Sequence, residues 1–150
     1  MKYVSVAVDG PAGSGKSTIT KMVAKSLGFN YVDTGAMYRA LTFNFLSNGL
    51  DELEEEKIKE LLSKTNFKVE YVDGVQYVYV NDEEVSDKIR TAEVSKFTSL
   101  FAKSPAVRDF LIDTQRNLAN TNNIIMDGRD IASVVLPNAD VKIFLTASVE

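Results

Sequence analysis

The sequence contains no cysteine and no histidine among its 150 residues. Without cysteine, the chain cannot form disulfides, thiolate metal sites or a cysteine nucleophile. Without histidine, it lacks the commonest general acid–base group and the usual zinc ligand. Any chemistry that these residues perform must therefore use lysine, arginine, aspartate, serine, threonine and the backbone.

Long apolar runs and a strong excess of positive charge are also missing. No apolar stretch reaches the roughly 18 residues that a membrane-spanning helix requires, and the net charge of −4 argues against nonspecific nucleic-acid binding. The start, Met1-Lys2-Tyr3-Val4, leads directly into a predicted strand and does not have the pattern of a signal peptide. We therefore expect a cytoplasmic protein with one domain, or one domain with an insertion, and with no nucleic-acid or membrane partner.

A phosphate-binding loop is the most informative motif that is present. Residues 10–17 read Gly-Pro-Ala-Gly-Ser-Gly-Lys-Ser, which fits the pattern G-x-x-x-x-G-K-[ST]. The loop lies between an apolar run and an amphipathic stretch, so it has the strand–loop–helix context that phosphate cradling needs. The alternative is an ordinary glycine-rich turn with a solvated lysine. The predicted ATP-binding residues are Gly10, Pro11, Ala12, Gly13, Ser14, Gly15, Lys16, Ser17 and Thr18.

Two of these residues have particular predicted roles. Lys16 would reach the terminal phosphates as a point charge, and Ser17 would offer its hydroxyl to a magnesium ion.

In the helix that follows, Ile19, Met22 and neighbouring apolar side chains form one face, opposite Thr20, Lys21 and Lys25.

The rest of the chain mostly alternates apolar strands with helices. The pattern predicts a short second strand at Phe29-Asn30-Tyr31-Val32 and a helix from about Ala36 to Ser47. It also predicts a charged helix from Leu53 to Lys64 with a solvated acidic run at 54–56, and a helix capped by Ser104 with Pro105 as its first residue. This alternation predicts an α/β fold with a parallel sheet that has helices on both faces. The pattern changes after residue 66, where apolar and polar residues alternate on either side of Asp73-Gly74 and predict an antiparallel hairpin. We interpret this hairpin, 66–85, as part of an inserted α+β subdomain.

Polar motifs follow two of the predicted strands. Asp33-Thr34-Gly35-Ala36-Met37-Tyr38-Arg39 comes after the second strand, and Asp127-Gly128-Arg129-Asp130 comes after a buried strand. Ligands of parallel sheets gather at the carboxyl ends of strands. Arg39 would hold a second anion there, and a buried carboxylate of the 127–130 motif would need Arg129 or a hydrated magnesium ion as a partner.

Together these motifs resemble those of the bacterial cytidylate kinases, a P-loop nucleoside monophosphate kinase family. The resemblance rests on residues 9–17, 33–39, Ile89-Arg90-Thr91, Glu93-Val94-Ser95 and 127–130, and covers the whole sequence. It implies a P-loop core at 1–36 and 122–150, and a monophosphate-binding insertion at 37–121. It further implies that a C-terminal lid and a last strand of the family are absent from this chain, that the chain is an N-terminal fragment with weak activity, and that the full-length protein is a monomer.

The resemblance also implies an activity and a set of site residues. MgATP would phosphorylate CMP and dCMP, with Lys16, Arg39 and Arg129 as catalytic residues and Mg²⁺ as the cofactor. Arg39 and Arg129 match positions that hold the acceptor phosphate, and Ser99, Arg108 and Asp130 match positions that read the cytosine edge. Thr34 matches a position near the base and sugar.

Other interpretations of these residues stay open at this stage. Arg39 could form a surface salt bridge, Arg129 could only neutralise neighbouring carboxylates, and Asp130 could be a structural cap. Ser99 and Arg108 could be solvated helix residues. Asp33 could bind magnesium through water or cap a helix, and Asp9 is predicted to support the loop. The alternative functions are a kinase for another nucleoside monophosphate, a noncatalytic nucleotide-binding fragment, and a GTPase-type switch, for which no Asn-Lys-x-Asp segment is present.

Overall fold

The computed structural model describes residues 2–11, 13–128 and 130–146. Its strands are β1 Ser5–Asp9, β2 Asn30–Val32, β3 Phe67–Val72, β4 Val75–Val80, β5 Glu83–Glu84, β6 Ile124–Gly128 and β7 Val141–Phe144. Its α-helices are α1 Lys16–Leu27, α2 Thr34–Ser47, α3 Glu55–Lys64, α4 Ala92–Phe101 and α5 Pro105–Thr121, and a π-helical turn covers Ile131–Val135. Within the described residues, no helix is both long enough and apolar enough to cross a membrane.

Four strands form one parallel sheet in the order β2-β6-β1-β7. The two central strands are apolar and buried, as expected for strands covered on both faces. The predicted α/β fold with a parallel sheet is confirmed. Since all four strands run in one direction, the polar residues after β1, β2 and β6 lie at the same edge of the sheet.

The chain divides into two compact units. The first comprises Met1–Thr34, Tyr71–Gln76 and Thr114–Glu150, and therefore contains the parallel sheet, α1 and the tip of the β3–β4 hairpin. The second comprises Gly35–Glu70 and Tyr77–Asp113. This division does not test the predicted monophosphate-binding insertion, 37–121, which stays a prediction.

In the first unit, α1 packs on the sheet through small side chains. Thr20 and Ala24 are buried. The buried Thr20 hydroxyl donates a hydrogen bond to the Lys16 carbonyl at 2.5 Å. The apolar face expected from the sequence is instead solvent-exposed: Ile19, Met22, Val23 and Leu27 are 46%, 67%, 37% and 56% exposed. The periodicity of α1 therefore identified the helix correctly but did not identify the face that contacts the sheet.

The β3–β4 hairpin has the tight turn that the sequence predicts. Asp73 and Gly74 have φ values of 53° and 79°, so both residues occupy the left-handed region that a two-residue type I′ turn requires. Asn81 and Asp82, at 50° and 68°, form the equivalent turn between β4 and β5. These three strands make a separate sheet.

The second unit has its own hydrophobic core. Its buried members come from α2, from β4, from the segment between β5 and α4, and from α4: Ala36, Ala40, Val78, Val80, Val85, Ile89 and Val94. Phe45 and Phe101 add an edge-to-face ring contact, with 4.9 Å between the ring centres.

Helix α5 begins with the predicted cap. The Ser104 hydroxyl accepts a hydrogen bond from the Val107 N–H at 3.3 Å, and Pro105 is the first helical residue. The Glu55 carboxylate also accepts from the Ser104 hydroxyl and from the Ala106 N–H, both at 2.8 Å. Its negative charge therefore interacts favourably with the positive end of the α5 dipole.

Candidate functional site

The phosphate loop connects β1 to α1 and has the backbone that close approach to an anion needs. Gly13 and Gly15 have φ values of 80° and 78°, which favour glycine at both positions. A Cβ on Gly10 would overlap the Leu145 carbonyl oxygen, so only glycine fits the narrow space beside β7. The strand–loop–helix arrangement predicted from the sequence is therefore present.

Lys16 and Ser14 place polar groups in this loop. The Lys16 ammonium donates to the Gly10 carbonyl at 3.2 Å, so it folds back over the loop rather than extending into solvent. The Ser14 hydroxyl oxygen is buried and has no hydrogen-bond partner among the described residues. Burying a hydroxyl without a partner is costly, and a phosphate oxygen in the loop would satisfy it.

Asp9, the last residue of β1, does not face solvent. Its side chain is 7% exposed and its two oxygens accept hydrogen bonds from the Ile131 and Ala132 N–H groups at 2.7 and 2.8 Å. These bonds fix the start of the π-helical turn directly after the 127–130 motif. Asp9 therefore stabilises a segment more than 120 residues away in sequence, while its expected support of the phosphate loop stays a prediction.

Asp127 lies at the carboxyl end of β6 and is also 7% exposed. Its partner is the Tyr31 phenol on the adjacent strand β2, which is 3.1 and 3.0 Å from the two carboxylate oxygens. Burial, followed by the charges of Asp127 and Asp33, raises the pKa of Tyr31, so the phenol stays protonated and donates.

Asp33 is held through its backbone by the hairpin tip. Gln76 accepts from the Asp33 N–H at 3.0 Å and donates to the Asp33 carbonyl at 3.1 Å, and the Tyr71 hydroxyl donates to the same Gln76 oxygen at 2.8 Å. The Gln76 amide thus pairs with a main-chain peptide as a neighbouring strand would. The segment that begins the 33–39 motif is fixed immediately before α2.

We expect Gln76→Ala to destabilise the protein. The change removes the acceptor of the Asp33 N–H and the donor to the Asp33 carbonyl. Losing two such hydrogen bonds lowers the unfolding free energy by about 1–3 kcal/mol. Urea denaturation measures this loss. Val75→Ala on the same tip is the matched control, because Val75 is 53% exposed and should cost less than about 0.5 kcal/mol. Equal losses in the two variants would show that the Gln76 amide does not stabilise the Asp33 segment.

The remaining predicted site residues are distributed as follows. Arg39 on α2, Ser99 on α4 and Arg108 on α5 belong to the second unit, and Ser99 and Arg108 are exposed. Thr34 is the first residue of α2, two residues earlier than the helix start expected from the sequence. Asp130 precedes the π-helical turn, where its carbonyl accepts from the Val134 N–H at 2.9 Å. Ala12 and Arg129 lie outside the described residues.

Three site residues were not anticipated from the sequence. Tyr31 was assigned only to a short strand, and Tyr71 and Gln76 only to a hairpin. Tyr31 and Asp127 are 96 positions apart, and Asp33 and Gln76 are 43 apart. No local spacing could pair them. The one available signal was that Tyr31 lies two residues before Asp33, at the end of a strand.

The fold and the loop define a P-loop nucleotide-binding protein of the α/β class. A profile of the family described as "Cytidylate kinase" matches residues 6–150. Similar curated proteins, each named cytidylate kinase, come from Leuconostoc mesenteroides, with 52% identity over 150 residues, Caldicellulosiruptor bescii, with 48% over 150, and Bacillus subtilis, with 47% over 149. The alignments cover 100%, 100% and 99% of this chain and 67%, 66% and 66% of the relatives.

The chain therefore belongs to the cytidylate kinase family, which confirms the resemblance drawn from its motifs. It spans about two thirds of the length of the curated relatives that it matches.

Proposed function

We propose that the protein transfers a phosphoryl group from MgATP to CMP or dCMP, giving ADP and CDP or dCDP. The observation that carries this proposal is the phosphate loop, with its inward lysine and a buried Ser14 hydroxyl that has no partner among the residues the structure describes. The chain is also 52% identical to a protein named cytidylate kinase. The fuller assignment, with 37–121 as the acceptor-binding subdomain and a cytoplasmic monomer as the whole protein, rests on the family resemblance.

The transfer itself requires positioning and charge rather than a basic side chain. An acceptor phosphate oxygen, already ionised at neutral pH, forms a bond to the γ-phosphorus as the bond from that phosphorus to the β,γ-bridging oxygen breaks. ADP leaves with the electron pair, and no proton must be removed from the attacking oxygen. A chain without histidine can therefore perform this reaction.

The protein's part is to offset the repulsion between two polyanions. Lys16 and the loop N–H groups would neutralise the ATP phosphates, while Arg39 and Arg129 would hold the acceptor phosphate. Ser17 and Asp127 offer the hard oxygen donors that suit magnesium, and the ion, when bound, would neutralise charge on the β- and γ-phosphates. Asp33 is a further candidate, through a water molecule.

Base selection is assigned to Asp130, Arg108 and Ser99. Cytosine presents an amino donor beside acceptors, so a carboxylate and a guanidinium can read its edge together. Uracil presents a carbonyl where the amino group would be, and would leave a carboxylate without a donor.

Coupled ADP production with CMP, dCMP, UMP and AMP tests the proposal. We expect CMP and dCMP to stimulate ADP formation well above the rate without acceptor. A higher rate with AMP or UMP would identify a kinase for another monophosphate. ADP formation that no acceptor changes would contradict the kinase assignment.

For Asp130→Ala, we expect the ratio of kcat/KM for CMP to that for UMP to fall by about tenfold or more, because a base-reading hydrogen bond is lost. The steady-state ratio is the measurement, since a general loss of activity changes both values equally. Asp109→Ala, at an exposed position of α5, is the control. A ratio that is the same in Asp130→Ala and the parent would remove Asp130 from base recognition.

A further inference from the structure

The contact between Tyr31 and Asp127 has no counterpart in the motifs that identify the family. One phenol oxygen lies 3.1 and 3.0 Å from the two oxygens of a carboxylate that is 7% exposed. In the parallel register Tyr31 pairs with Ile125, two residues before Asp127, so the phenol reaches along the sheet toward the carboxyl end of β6. A nearly buried carboxylate needs a hydrogen-bond donor, and the phenol supplies one.

The ring of Tyr31 is fixed independently of its contact with Asp127. The Lys21 ammonium lies 5.5 Å from the ring centre, in the range of a cation–π contact, and the ring packs against the cluster formed by Val6, Val8, Ala24 and Ile125. The phenol is thus held by packing of its ring and by the Asp127 carboxylate at its oxygen.

We propose that Tyr31 is a positioning residue for magnesium, which orients the Asp127 carboxylate before the metal–nucleotide complex binds. This inference rests on the proposed nucleotide-dependent function. Partners that orient the ligands of a metal commonly change its affinity by about 10–100-fold when they are removed. A purely structural role would instead alter stability and leave the magnesium requirement unchanged.

Tyr31→Phe tests this inference, because it removes the phenol oxygen and keeps the ring. The measurement is the binding of a fluorescent ATP analogue, first with EDTA and then during a Mg²⁺ titration. We expect the Mg²⁺ concentration at half-saturation to rise by about tenfold, while the affinity in EDTA stays within twofold of the parent. Tyr3→Phe, which removes a 39% exposed phenol from before β1, is the matched control and should match the parent.

The outcomes separate this inference from the proposed function. An unchanged half-saturation in Tyr31→Phe would overturn the positioning role. Equal weakening with and without Mg²⁺ would also overturn it, because the phenol would then support the loop rather than the metal ligands. A parent protein that binds no nucleotide would overturn the proposed function itself, together with the inference that rests on it.

Discussion

Lys16→Ala is expected to lower kcat/KM for phosphoryl transfer by about 100–1,000-fold, the range found when one preorganised charge-stabilising donor is removed. The Lys16 ammonium already lies over the loop, 3.2 Å from the Gly10 carbonyl. It is therefore held near the place where the phosphates would bind. In the alanine variant, this cation would no longer neutralise the charge of the phosphates.

Steady-state kinetics with varied ATP measure the effect. Lys25→Ala is the matched control, since Lys25 is also on α1 but lies near its carboxyl end and is exposed. We expect the control to stay within twofold of the parent. If Lys16→Ala kept kcat/KM within threefold of the parent while CMP-dependent transfer continued, the loop would not be the donor site.

We expect Asp9→Ala to lower the free energy of unfolding by about 3–5 kcal/mol, a larger loss than for Gln76→Ala. The variant removes an ionised acceptor from two charge-assisted hydrogen bonds and leaves the Ile131 and Ala132 N–H groups without it. Asp9 is almost fully buried, so water cannot readily replace the carboxylate. Thermal or urea unfolding measures the loss.

Asp140→Ala is a suitable comparison for Asp9→Ala. The Asp140 carboxylate also accepts a backbone hydrogen bond, from the Ser5 N–H at 2.9 Å, but its side chain is 26% exposed. We expect a clearly smaller loss there, because water can replace an exposed acceptor. If the two variants were destabilised equally, the paired bonds of Asp9 would not be the reason that the segment after residue 130 is held in place.

Local patterns were sufficient to predict the loop, the hairpin and the start of α5. Gly13 and Gly15 are required by their own positive φ values. Asp73-Gly74 forms a turn whose type follows from two residues. Ser104-Pro105 likewise contains its own capping group. In each case the interactions that decide the structure lie within a few residues or within one motif.

Interactions between distant segments could not be predicted in this way. Apolar periodicity shows that α1 is a helix. The side of α1 that packs on the sheet is instead the one with Thr20 and Ala24, because small side chains there allow close packing. The acidic first turn of α3 was expected to be solvated, yet Glu55 binds the start of α5, about 50 positions later in the sequence. The Tyr31–Asp127 and Gln76–Asp33 pairs follow from the strand order and the hairpin's path.

The most direct test of the phosphoryl-transfer assignment is a single-turnover reaction with ATP labelled at the γ-phosphate and protein in excess. We predict that the label moves into CDP when CMP is present, and that adding EDTA stops the transfer. Label released only as inorganic phosphate, at the same rate with and without CMP, would contradict the assignment and identify a nucleotide hydrolase instead.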